Sequence, residues 1–190
     1  MIKTGLFGGS YNPIHVGHVA LAKRFLEEVQ LDEVWLMVSP QNPLKAATDL
    51  LEDEKRLEMV QAAIGNDPGI IACDYEFRLP KPSYTWDTLQ TLHRDFPERE
   101  FTLLIGGDNW KLFHRWYRAQ DILSNYQVMV YPRVDSPIDE LTLPINVRLL
   151  EAEMVDVSST EIRRKVRAGE SIEGLVPKGI ERMVIENYKI

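Results

Sequence analysis

Two histidines three residues apart, His15 and His18, follow the adjacent glycines Gly8 and Gly9 in the stretch GLFGGSYNPIHVGH. These residue types suit a polyphosphate. Glycines let the backbone approach a bulky anion and take positive φ without a Cβ clash. Successive backbone N–H groups there can form an anion nest. Imidazoles three apart share one side of a helix turn, and each can donate an N–H to phosphate. A helix beginning near Val16 would add the positive end of its dipole and free first-turn N–H groups. Ser10 adds a hydroxyl. The competing readings are a structural strand–turn–helix corner and a metal site. The second lacks a third Cys, His or carboxylate at recognisable spacing, so no protein metal ligand is expected.

A second stretch, VSSTEIRRKV (157–166), carries similar chemistry. Ser158 and Glu161 have the spacing of a capping box, which by itself explains a helix start. The same geometry builds an anion site from Ser158, Ser159 and Thr160, with Arg163 one turn on. Arginine can bridge two phosphate oxygens with its planar fork. Arg164, Lys165 and Arg167 read as solvated charges that complement the helix C-terminus. Lys45, in the loop SPQNPLKAATD, is placed to reach a substrate phosphate or is a solvated loop lysine. Asp108, after Gly106 and Gly107, can accept from ribose hydroxyls or cap the next helix. Cys73 reads as packing. His93 and His114 carry no motif.

Periodicity supplies the elements that position these groups. Residues 2–7 form a strand, and 16–29 a helix with Val19, Ala22, Leu26 and Val29 on its buried stripe. The continuous apolar run 34–38 reads as a buried parallel strand, which makes the opening a βαβ unit. The loop 39–49 leaves the carboxyl end of that strand, where open α/β sheets bind ligands. A helix spans 52–64, and 70–79 reads as a strand. A second helix start near Ser83 or Thr85 runs to about Arg94. Strands follow at 101–108 and 126–133, then a variable loop at 134–144, and a strand or two within 145–157. A last helix spans about 178–187. The fold class expected is α/β, a Rossmann-like three-layer sandwich with a mostly parallel central sheet, in a single domain over 1–190.

Composition agrees. Hydrophobic content is 44% and charged content 27% over 190 residues, ordinary for one globular domain. No apolar run is long enough for a membrane helix, and MIKTGLFGG does not read as a signal peptide. A single cysteine excludes an internal disulfide and fits a reducing, cytoplasmic setting. A net charge of −7 argues against nucleic acid as a partner. An acidic chain that handles phosphates must concentrate its basic groups locally.

The whole string GGSYNPIHVGH resembles the signature of the (H/T)xGH nucleotidyltransferases, and within them the mononucleotide adenylyltransferases for nicotinate or nicotinamide. Those usually read GGTFDPIHxGH, so Ser10, Tyr11 and Asn12 depart from the pattern. PSYTWDTL (82–89), RxxM at Arg56 and Met59, and SSTEIR (158–163) match in family order, and the match spans nearly the whole chain. Leu44 stands where the family has a histidine, while Lys45 aligns. The resemblance implies transfer of AMP from ATP to nicotinate mononucleotide, giving deamido-NAD and pyrophosphate, with Mg²⁺ on the nucleotide. It implies Tyr84, Thr85 and Trp116 at the pyridine ring, Lys45 at the acceptor phosphate and Arg133 near adenine. A homo-oligomer is compatible with it. Other classes of reading are the same chemistry on another acceptor, a non-catalytic nucleotide sensor, and a dinucleotide-dependent oxidoreductase. The last is disfavoured by the lack of GxGxxG after the first strand.

The histidine pair is expected to serve turnover. His18→Ala should lower the rate by roughly 10²-fold or more, the scale of one lost transition-state donor. Rate and melting temperature measured together check this. A normal rate with a large loss of stability would reject it.

Overall fold

The computed structural model describes residues 1–40 and 49–190. A six-stranded sheet has the order β3-β2-β1-β4-β5-β6. Its strands are β1 (Ile2–Gly9), β2 (Glu33–Val38), β3 (Ile70–Cys73), β4 (Arg99–Gly106), β5 (Gln127–Tyr131) and β6 (Val147–Leu149). Every adjacent pair is parallel. This is the strand order of the doubly wound dinucleotide fold, so the α/β sandwich expected from the sequence is the fold observed.

Alternation along the strands builds the two faces. Phe7, Leu36 and Val38 enter one buried cluster, with Ala22 and Phe25 from α1 (Val16–Glu28) and Leu57 and Val60 from α2 (Asp53–Ile64). Ile162 of α6 (Ser159–Arg167) and Val184 of α7 (Glu181–Tyr188) join them. Leu6, Trp35 and Met37 enter the other cluster, with Leu89 and Leu92 of α3 (Thr85–Asp95) and Ile122 of α5 (Ala119–Asn125). The short α4 (Gly107–Leu112) follows β4 directly.

Two boundaries differ from the sequence reading. The strand expected over 70–79 stops at Cys73, and Tyr75–Arg78 forms a 3-10 turn. Glu76 lies in this turn, where its carboxylate is buried and accepts from Thr88 Oγ1 at 3.0 Å. Over 145–157 the only strand is Val147–Leu149; the chain beyond it lines a cavity instead of extending the sheet. The last helix begins as a 3-10 turn, Lys178–Ile180, before α7.

The C-terminal helix returns to the first turn of the chain. Tyr188 donates its hydroxyl to Asn12 Oδ1 at 2.6 Å. Asn12 Oδ1 also accepts from the Leu51 N–H, and its Nδ2 donates to the Asp49 carbonyl at 2.8 Å. Tyr188→Phe removes one buried hydrogen bond and keeps the ring. We expect a loss of about 1 kcal/mol, seen as a melting temperature lower by roughly 2–4 °C. An unchanged melting temperature would show the bond to be energetically idle.

Candidate active site

The glycines act differently from the sequence expectation. Gly8 and Gly9 are the last residues of β1, opposite Met37 and Val38 of β2. Neither has positive φ; in this turn that conformation falls on Tyr11, at φ 47°. Tyr11 is buried and donates its hydroxyl to the Phe7 carbonyl, and these contacts offset the cost of a left-handed non-glycine residue. What Gly8 provides is space: a Cβ there would meet no atom within 4 Å, and it borders a cavity.

His15 and His18 form the start of α1 together. His15 is the N-cap, and its Nδ1 accepts from the Gly17 N–H at 3.1 Å. His18 Nδ1 accepts from the His15 N–H at 3.1 Å. The rings stack with centroids 3.7 Å apart. This is a capping box built from imidazoles instead of Ser and Glu. Two expectations change with it. The first-turn amides are not open to a ligand: Gly17 is capped, and the Val16 N–H donates to the Leu175 carbonyl. The histidines also help to fold the helix, beyond any role in turnover. Burial, then the nearby Arg133 charge, pulls the His15 pKa down to about 4. His15 is therefore neutral at pH 7. With Nδ1 accepting, its proton sits on Nε2 as a donor.

The pair lines a cavity of about 340 Å³ at the carboxyl edge, between α1, the end of β5 and residues 152–158. Asp108, Arg133 and Ser158 line it too. Arg133 Nη1 lies 3.9 Å from Asp108 Oδ2. Three predicted phosphate ligands sit elsewhere. Ser158 Oγ accepts from the Glu161 N–H at 3.1 Å, while the Glu161 carboxylate turns to Arg164, so only half of the expected capping box forms. Ser159 donates its hydroxyl to the Pro13 carbonyl at 2.8 Å, and Thr160 is exposed. Neither is among the residues lining this cavity. Arg163 donates to the Asn12 carbonyl at 2.8 Å and to Asp49 Oδ2 at 3.1 Å. Asp49 also holds Arg167, so Arg167 is not merely a solvated charge. These arginines keep the Asp49 carboxyl below the usual range, Arg167 most strongly. Sequence reasoning missed Asp49, because its partners lie 114 and 118 residues away.

A second cavity, of about 170 Å³, runs between the ends of β1 and β4 and the start of α3. Gly8, Gly9, Ser10 and Gly106 line it, facing Tyr84, Thr85 and Trp116. A Cβ on Gly106 would sit 2.8 Å from Asp108 Oδ1 and 2.9 Å from the Tyr131 ring, so any larger residue would push these side chains aside. No side chain caps α3 at Tyr84, contrary to the capping role considered for Ser83 or Thr85. Tyr117 lines the cavity with its ring 5.4 Å from that of Tyr84. Tyr131 lines both cavities. Glu76 was also missed by sequence reasoning; it lines this cavity, and burial pushes its carboxyl up. Burial raises the Cys73 thiol to about 11, which leaves it unreactive. Lys45 and Leu44 lie outside the described residues.

The two cavities thus share Tyr131 and lie on the edge where doubly wound sheets bind nucleotides. The family profile described as cytidylyltransferase-like matches residues 6–165. The chain belongs to this family. A Bacteroides thetaiotaomicron protein named probable nicotinate-nucleotide adenylyltransferase is 49% identical over 163 residues, 86% of this chain and 81% of that one. A Bacteroides fragilis protein of the same name is 45% identical over 184 residues, 97% of this chain and 92% of its own. The solved Plasmodium falciparum nicotinic acid mononucleotide adenylyltransferase complexed with NaAD agrees in fold, with a TM-score of 0.82 at 19% identity. It covers 98% of this cytidylyltransferase-like chain and 94% of its own.

The depressed His15 pKa sets a stability window. The unfolded histidine titrates near 6.5, as the unperturbed side chain does, and the native one near 4. Between these values the unfolded chain binds a proton that the native chain does not. Stability contributed by neutral His15 is therefore complete above about pH 6.5 and falls as the pH drops toward 4, by roughly 3 kcal/mol at most. Urea unfolding across this range should show a shallower pH slope for His15→Asn than for the parent. Equal slopes would overturn the argument.

Proposed function

We propose that this chain is a nicotinate-nucleotide adenylyltransferase, folded as a single domain over residues 1–190. It transfers AMP from ATP to nicotinate mononucleotide, giving deamido-NAD and pyrophosphate. The observation that carries the reading is the pair of cavities at one sheet edge. One is lined by His15 and His18, the other by Tyr84, Thr85 and Trp116, and Tyr131 lines both. Their arrangement suits a triphosphate on one side and a pyridine nucleotide on the other. In this reading the acceptor phosphate attacks the α-phosphorus of ATP, and the bond to the β-phosphate oxygen breaks. The acceptor phosphate is already an anion near neutral pH and needs no general base. Catalysis comes from alignment and from charge neutralisation as pyrophosphate leaves.

Each residue then has a role. The Nε2–H of His15, fixed by its capped Nδ1, donates to the triphosphate, with His18 beside it. Gly8, Gly9 and Ser10 let the phosphates approach β1. Asp108 and Arg133 serve the adenosine end. Ser158, Ser159, Thr160 and Arg163 shape the turn, and Arg163 reaches phosphate by exchanging the Asp49 carboxylate for it. Lys45 meets the acceptor phosphate. Among the described residues no group of three or more His, Cys, Asp or Glu side chains could hold a metal. These residues do not cage an ion, so Mg²⁺ belongs to this reading only as an ion carried on ATP oxygens. No described helix is long and apolar enough to cross a membrane.

A second reading, preference for the nicotinamide substrate, is favoured by one observation: Glu76 places a carboxylate on the acceptor cavity. The amide donates to a carboxylate where the acid is repelled. Pyrophosphate release with ATP and a panel of phosphorylated acceptors tests the function. kcat/KM for nicotinate mononucleotide should exceed that for the amide by more than about tenfold, since one charge-assisted contact contributes ~1.5–3 kcal/mol. A ratio favouring the amide would transfer the assignment to the second reading.

A further inference from the structure

Arg56 lies on α2, and its side chain is fully buried. Buried arginine is uncommon unless every donor has a partner. Here the guanidinium gathers four acceptors. Nε donates to the Leu51 carbonyl at 2.7 Å. Nη1 donates to the Ser10 carbonyl at 2.5 Å and to the Ser39 carbonyl at 2.9 Å. Nη2 donates to Asp53 Oδ1 at 2.5 Å. The acceptors come from separate stretches: the glycine turn after β1, the exit of β2, and the approach to α2. Both Ser10 and Ser39 line the acceptor cavity.

We propose that Arg56 is a positioning residue that holds the β1 turn and the β2 exit in register, so that the acceptor cavity keeps the shape a mononucleotide needs. The geometry gives the mechanism. A trans peptide is planar, with its C=O and N–H on opposite sides. Holding the Ser10 oxygen therefore fixes the Ser10–Tyr11 plane and turns the Tyr11 N–H away from Arg56. Tyr11 follows with its positive φ, so the plane before it decides where the turn goes. Ser39 and Leu51 flank the stretch that carries Lys45, and one fork holds both. The larger cavity, lined by the α1 N-cap His15 and by His18, has none of the four acceptor residues among its lining. A point charge would not serve: lysine offers no planar fork to span acceptors from separate strands.

The inference rests on the proposed function for the identity of the acceptor, and the test separates the two. Binding is read alone, by isothermal titration calorimetry on adding nicotinate mononucleotide, and turnover from pyrophosphate release. Arg56→Lys keeps the charge and approximate volume, and Arg56→Gln keeps neutral donors without a buried charge. At a temperature where circular dichroism shows the native fold, KM for the mononucleotide should rise about tenfold or more in both, and KM for ATP should stay within about twofold. A structural role alone would leave both constants unchanged or weaken them together, and either result overturns the proposal. Asp53→Asn retains the fork on its carbonyls and should keep acceptor KM within about twofold; a tenfold rise would shift the role to the carboxylate and overturn the proposal for the fork. Failure of both Arg56 variants to fold would assign the guanidinium to stability and also overturn it. A parent that binds no mononucleotide would sink the acceptor reading instead. A parent and a Lys variant that bind it equally would sink only the role of Arg56.

Discussion

Between β1 and β4 the sheet changes direction. From β1 the chain builds outward through β2 and β3, then returns across the sheet to β4 and builds the other way through β5 and β6. The crossovers leaving β1 and β4 therefore diverge, and a crevice opens at their carboxyl ends. The glycines that end β1, the glycine before α4, the histidine cap of α1 and the start of α3 all stand around this opening. The parallel order is a constraint on function before any side chain is considered.

Under the proposed function the opening receives polyanions in a chain whose net charge is −7. Several of its arginines already have partners within the protein. Arg56 is buried among carbonyls and Asp53, Arg163 and Arg167 share Asp49, and Arg164 lies between Glu161 and Glu170. These pairs are of unequal energetic weight. The exposed ones contribute little to stability, whereas opening the buried Arg56 cluster would strand a charge and several carbonyls. His15 is held neutral by burial, so it contributes a fixed N–H dipole and no net positive charge. Under the proposed function, phosphate recognition would depend on oriented donors more than on net charge.

The sequence exposes those parts of this design that depend on local pattern. Val34–Val38 and the 101–106 run are apolar at every position or nearly so, because parallel strands bury both faces, and their placement follows directly. The GGSYNPIHVGH and PSYTWDTL stretches announce the two cavities because their chemistry is contiguous. What was hidden depends on distant partners. Glu76, in the 3-10 turn, is buried and accepts a hydrogen bond from Thr88, 12 residues on. Asp49 becomes an ion-pair hub only when α6 is brought beside it. Positive φ belongs to Tyr11 and not to its neighbouring glycines, since the strand continues through them. Periodicity carries no information about any of these.

The bond from Tyr188 to Asn12 joins residues 176 apart in the chain. A ribosome adds on the order of 5–20 residues per second, so the glycine turn exists for roughly 9–35 seconds before its last partner has been made. During that interval the nascent turn has its histidines and glycines but lacks the helix that braces Asn12 from behind. Sheet pairing of β1 with β4 must wait as well. A growing chain of this design therefore completes the support of its glycine turn only after the C-terminal helix has been made and has docked.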